Sequence, residues 1–171
     1  MVLDIEARCK VGRGSRTMNT KLMALDYVKR ARSCFRESRA AFDEKDYPMT
    51  VRRVQECVKL SLKAVLRGIA IEYPREHDVS KALDMVKGKV PDWFSYKIPE
   101  FAEVSRDLSK KRGPALYGYE AELRPASDIF SKKDAEEALA SGEEIFASCN
   151  KLIKEIFGIK KYDDMYFCES S

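Results

Sequence analysis

The 171 residues suit one domain, long enough to bury a core of its own. An apolar fraction of 44% beside 35% charge excludes a disordered chain, and 8 glycines with 6 prolines argue against a small all-β fold full of tight turns. A net charge of +4 is too modest to announce a nucleic-acid-binding protein, but it is unevenly placed: in residues 48–68, Arg52, Arg53, Lys59, Lys63 and Arg67 face one acid, Glu56.

Residues 1–18 are mildly basic and contain Gly12 and Gly14, which predicts a flexible arm ahead of the folded unit at 19–158. Asn19 and Thr20 are capping residues for a first helix over about 20–44, with Leu22, Leu25, Val28, Ala31, Phe35 and Phe42 at three- and four-residue spacing. Pro48 suits the first turn of a second helix over about 48–71, striped by Val51, Val54, Val58, Leu62, Val65 and Ile69 and ended by Tyr73-Pro74. The link between the two is so short that they must pack antiparallel.

Asp78 is placed to cap a short third helix with Val79, Ala82, Leu83 and Val86 inward, and Asp92 to cap a turn holding Trp93 and Phe94. Ile98, Phe101, Val104 and Leu108 predict a fourth helix that stops near Arg112-Gly113-Pro114. Residues 112–130 read as a loop whose tyrosines, Tyr117 and Tyr119, cover helix ends as apolar lids. Ser131 and Asp134 have capping-box spacing before a fifth helix that closes at Gly158. The tail, 159–171, carries Tyr162, Met165, Tyr166 and Phe167, enough apolar weight to dock. The fold class is therefore all-α, an up-and-down antiparallel bundle of about five helices.

The five cysteines are odd in number and without a CxxC pair, as expected of reduced thiols in a cytoplasmic protein. No apolar run approaches the roughly 20 residues that span a bilayer, so no membrane partner is expected. No Gly-rich phosphate loop and no GxSxG elbow occur. Nothing in the pattern asks for a metal or another cofactor.

The second helix carries the informative chemistry. At about 100° per residue Arg52, Lys59, Lys63 and Arg67 fall on one stripe about 20 Å long, which would meet phosphates favourably or else simply be a solvated face. A second cluster, Tyr73-Pro74-Arg75-Glu76-His77-Asp78, holds the only histidine, a group able to move protons near neutral pH or merely to anchor the junction.

Val54-Gln55-Glu56-Cys57-Val58-Lys59, the link ending Glu76-His77-Asp78-Val79, and the closing Ser131-to-Leu139 segment together resemble the HEPN family over about residues 20–157. The resemblance implies a helical bundle, commonly a homodimer, whose members are RNA-cleaving toxins, partners of small nucleotidyltransferases, or nucleotide- and RNA-binding modules. Cleaving members use an Arg, four to six intervening residues, then a His. Here positions 70–72 before His77 are Ala70, Ile71 and Glu72, Arg75 is too near and Arg67 too far. The expectation is a module without catalytic residues that binds a nucleotide, an RNA or a nucleotidyltransferase through Arg52, Gln55, Lys59, Lys63, Arg67, Arg75, His77 and Asp78. The alternatives are a ribonuclease with a rearranged site built from His77 and Arg75, and a purely structural dimerisation domain.

Overall fold

The computed structural model describes residues 5–73 and 79–159, with side chains from Asn19 onward. Two long helices dominate its first half, α1 (Ile5–Asp43) and α2 (Tyr47–Gly68). The start of α1 lies well before the Asn19-Thr20 capping pair, because nothing at those two positions obliges a helix to begin there. The α1–α2 connection is a helix stop built on Lys45, whose φ of 63° places it in the left-handed region, while the Asp46 amide returns to the Ala41 carbonyl at 2.8 Å. Asp46 then caps α2: its Oδ1 accepts from the Met49 amide at 3.0 Å.

The end of α2 falls at Gly68, three residues short of the expected 71. Ala70 takes the left-handed conformation, φ 57°, and the Ile71 amide donates to the Leu66 carbonyl at 2.8 Å. This is the six-to-one closure of a Schellman stop, with alanine where glycine is usual. Ile71, buried at the turn, is the apolar contact that accompanies it. The sequence signal at Tyr73-Pro74 lies beyond the true end.

Short pieces then cross the bundle: α3 (Ser80–Leu83) running into a 3-10 turn at Asp84–Val86, and α4 (Asp92–Ser95). Asp78 lies outside the described residues, and the N-cap position of α4 is Pro91, so Asp92 is a first-turn residue rather than a cap. Helix α5 (Ile98–Lys111) buries Ile98, Phe101 and Leu108 as the spacing predicts. The 112–130 segment is folded locally into a single turn α6 (Pro114–Tyr117), two 3-10 turns, and a closure in which Tyr119 and Arg124 exchange backbone hydrogen bonds of 2.9 and 3.1 Å. The lid expectation fails there: Tyr117 is 66% and Tyr119 41% exposed. Ala115 and Phe130 are the residues that seal this edge.

The closing helix α7 (Lys132–Phe157) begins with a complete capping box. The Ser131 amide donates to Asp134 Oδ2 at 2.8 Å, and the Asp134 amide donates to Ser131 Oγ at 3.2 Å. Gly158 ends it in the left-handed region, φ 62°.

No named strand occurs among the described residues, and no helix among them is long and apolar enough to cross a membrane. The architecture is all-α as expected, a helical bundle in which four long helices, α1, α2, α5 and α7, are joined by short ones among the described residues. Helix α2 occupies the middle and packs against α1, α3, α5, α6 and α7. Val51, Val54, Cys57, Val58, Leu62, Val65 and Leu66 are all essentially removed from water, so α2 is buried almost all round.

Candidate functional site

The enclosure of α2 changes the meaning of its charges. A helix buried on nearly every side has little room for a free solvated face. The basic residues therefore line a half-buried strip between the α1 flank and the end of α5.

Arg52 opens the strip. Its side chain is only 12% exposed; Nη2 lies 3.1 Å from Glu56 Oε1, and Nη1 donates to the Arg112 carbonyl at 3.3 Å. Glu56 is shared, because its Oε2 meets Arg53 Nη1 at 2.8 Å, while Arg53 Nε also reaches Glu37 of α1 at 3.1 Å. The single acid of this segment is thus held by two arginines.

Lys59 is half-buried one turn further on. Burial pushes its amine below the ordinary lysine value, Glu56 opposes that fall, and the like charges of Lys63, Arg112 and Arg52 add to it. Lys63 Nζ and the Arg67 guanidinium both stand 5.1 Å from the centroid of the Tyr73 ring. The Tyr73 hydroxyl donates to Tyr27 Oη on α1 at 3.5 Å. Burial and that tyrosine partner push the Tyr73 phenol up to about 12, against the pull of Arg67.

Gln55 sits deeper than the cations, 2% exposed. Among the described residues its Oε1 has no hydrogen-bond partner, nor have the buried Nε atoms of Arg67 and Arg112. Beside the strip, Arg30, Cys34, Glu37, Glu56, Lys59 and Leu60 line a cavity of about 300 Å³ between α1 and α2. Burial, then Glu56 and Glu37, push the Cys34 thiol up, which disfavours the nucleophilic thiolate. Cys57 behind it is raised to about 12 by burial. No group of three or more metal-ligating side chains is assembled among the described residues.

The structure therefore brings together Arg52, Gln55, Lys59, Lys63 and Arg67, while Arg75, His77 and Asp78 lie outside the described residues. Two participants, Arg112 and Tyr27, escape a reading of the sequence, as does the part that Tyr73 plays. Arg112 closes the strip from the end of α5, and its only signal is the basic run Lys110-Lys111-Arg112. Tyr73 opens the 73–78 cluster, but its contact with two cations has no signal, and Tyr27 has none at all, because a cation resting on a ring depends on tertiary contact. The one acid that the sequence sets against the stripe is placed on it, since Glu56 engages Arg52 in an i,i+4 pair that helical spacing allows.

A model of the HEPN domain matches residues 24–152, well over half of the chain. The chain belongs to the HEPN family. It is 28% identical over 141 residues to a Methanocaldococcus jannaschii protein named "Putative toxin MJ1304", covering 79% of this chain and 91% of that one. Two solved structures share the fold. The protein TT1696 from Thermus thermophilus aligns with a TM-score of 0.61 at 21% identity, over 75% of this chain and 96% of its own. ST0689, an archaeal HEPN homologue, gives 0.57 at 21%, over 77% and 98%. In this HEPN domain the matched region contains the whole of α2 and its strip.

Proposed function

We propose that this HEPN domain binds the phosphate groups of a nucleotide or an RNA along the α2 strip and does not cleave its ligand. One observation carries the reading: Lys59 is held half-buried among Arg52, Lys63 and Arg112, while the nearby carboxylates, Glu56 and Glu37, are already engaged by arginines. Crowding like charges at a desolvated position costs stability, and a bound polyanion would offset that cost. A protein partner, such as a nucleotidyltransferase, would need apolar anchors, whereas this strip offers charge. Tyr73 rests on Lys63 and Arg67, and Arg75, His77 and Asp78, which follow it closely in the sequence, are proposed as further members of the site. A homodimer, common in the family, fits the proposal without being required by it.

The test is thermal denaturation across a nucleotide panel together with RNA retention, for the wild type and for Lys59→Glu with Lys63→Glu. Stabilisation and retention that vanish in the double variant are expected. No shift and no retention by the wild type would sink the reading, and capture of a nucleotidyltransferase in their place would favour the partner role.

The similarity to a protein named as a toxin motivates a second reading, RNA cleavage using His77 and Arg75. Metal-free incubation with RNA decides it: cleavage by the wild type that is lost in His77→Ala would establish a ribonuclease.

A further inference from the structure

Helix α7 carries a second, larger cavity, of about 620 Å³, away from the strip. Its described walls all come from α7 and the two residues after it, among them Ala147, Asn150, Lys151, Lys154, Gly158 and Ile159. A hollow walled by one helix needs an opposite wall. Asn150 makes that need specific, because its Oδ1 is buried and has no donor among the described residues. A buried acceptor left in that state is destabilising until a donor enters. The acid of this wall, Glu155, is already engaged: its Oε2 accepts from Trp93 Nε1 at 3.3 Å, and its Oε1 lies 3.9 Å from Lys151 Nζ.

The chain turns at the edge of this cavity. Gly158 takes a φ of 62°, and the Ile159 amide donates to the Lys154 carbonyl at 3.0 Å. The tail that follows, from Lys160, lies outside the described residues. Its sequence sets Tyr162, Met165 and Tyr166 at the spacing of one helical face, with Asp163 and Asp164 beside them. Two antiparallel helices rise equally, by about 1.5 Å per residue. With the turn at 158–159, positions 160–167 therefore come level with 157–150. Asp163 then falls opposite Lys154, and Tyr166 opposite Lys151, one residue from Asn150.

We propose that residues 160–167 fold back along α7 as a short helix and close this cavity, with Tyr162, Met165 and Tyr166 inward and the Tyr166 hydroxyl donating to Asn150 Oδ1. Three matches select this occupant. The apolar stripe meets a wall built on Ala147, Gly158 and Ile159, the phenol supplies the missing donor, and the acids meet Lys151 and Lys154. The docked tail stands independently of the phosphate reading, which concerns α2.

Limited trypsin digestion of the full chain tests it, through the rate of cleavage after Lys160 and Lys161 read by mass. At low protease that rate follows the fraction of undocked tail. The wild type should be cut there about tenfold more slowly than Met165→Asp/Tyr166→Asp, with cleavage inside the bundle equally slow in both. Tyr166→Phe alone should speed the cut by about tenfold, the worth of one buried hydrogen bond, and should add nothing in an Asn150→Leu background. Equal cleavage of the wild type and the double variant overturns the proposal. A Tyr166→Phe effect that persists in Asn150→Leu overturns it too, since the hydroxyl would then be bound elsewhere. Protection that grows with protein concentration gives the cavity to the tail of a second copy and overturns the fold-back.

Discussion

Gly142 of α7 faces Val54 of α2 so closely that a Cβ built at 142 would stand 2.7 Å from Val54 Cγ1. The absent side chain is what lets α7 approach the central helix. Gly142→Ala should destabilise the fold by about 1–3 kcal/mol, the usual cost of overpacking, even though alanine is the better helix former. Urea denaturation checks this, and Val54→Ala in the same chain should recover part of the loss.

Glu56 is the hub of the strip's charge pairing, with its carboxylate mostly buried. Glu56→Gln should cost about 2 kcal/mol, because Arg52 and Arg53 both lose a charged acceptor. The same variant should bind polyanions more tightly and with a steeper salt dependence, by about one released counterion. Chemical denaturation measures the first effect and titration at several salt concentrations the second.

For Lys59 the sign of the pH dependence follows from the depressed amine. Its proton is held less firmly in the folded chain than in the unfolded chain. The unfolded state thus binds more protons as pH rises from the depressed value towards the ordinary lysine value near 10.5, and the site's contribution to stability increases over that window. Lys59→Met should remove this rise and should raise the melting temperature at neutral pH, where the wild type carries the charge at a cost. Melting curves recorded from pH 7 to 10 for both chains would show it.

At the start of α7 stability again rises with pH, but in the acid range and through a stabilising interaction rather than a relieved cost. The Ser131 hydroxyl and amide hold the Asp134 carboxyl below its ordinary value. Its contribution is complete above the unfolded carboxylate range and fades as pH falls through the depressed folded value. Ser131→Ala should cost about 1 kcal/mol near neutral pH, and the difference from the wild type should narrow in acid. Denaturation at pH 7 and near pH 3 compares the two.

The bundle was legible in the sequence because its long helices carry signals of two kinds. Stripes such as Val51-Val54-Val58-Leu62-Val65 report burial directly, and Pro48, Ser131 and Gly158 mark ends through backbone chemistry. The Ala70 stop was not legible, because a left-handed alanine is selected by what Ile71 buries rather than by the residue itself. The membership of the strip was half legible. Spacing groups Arg52, Lys59, Lys63 and Arg67, but it is blind to which of them a neighbouring helix covers. Arg112, sixty positions from Arg52 in the chain, entered only through the fold.

The enclosure of α2 has a consequence for motion. A helix walled in by five others can expose its amides only when the whole bundle opens, so they should be the slowest to exchange hydrogen for deuterium. The side chains of the strip grow from this least yielding segment, and a ligand there meets a template that does not adjust to it. Occupancy should therefore slow exchange along all of α2 by the factor by which the ligand raises global stability, leaving the exposed turn at Leu123, 91% open to water, exchanging as before.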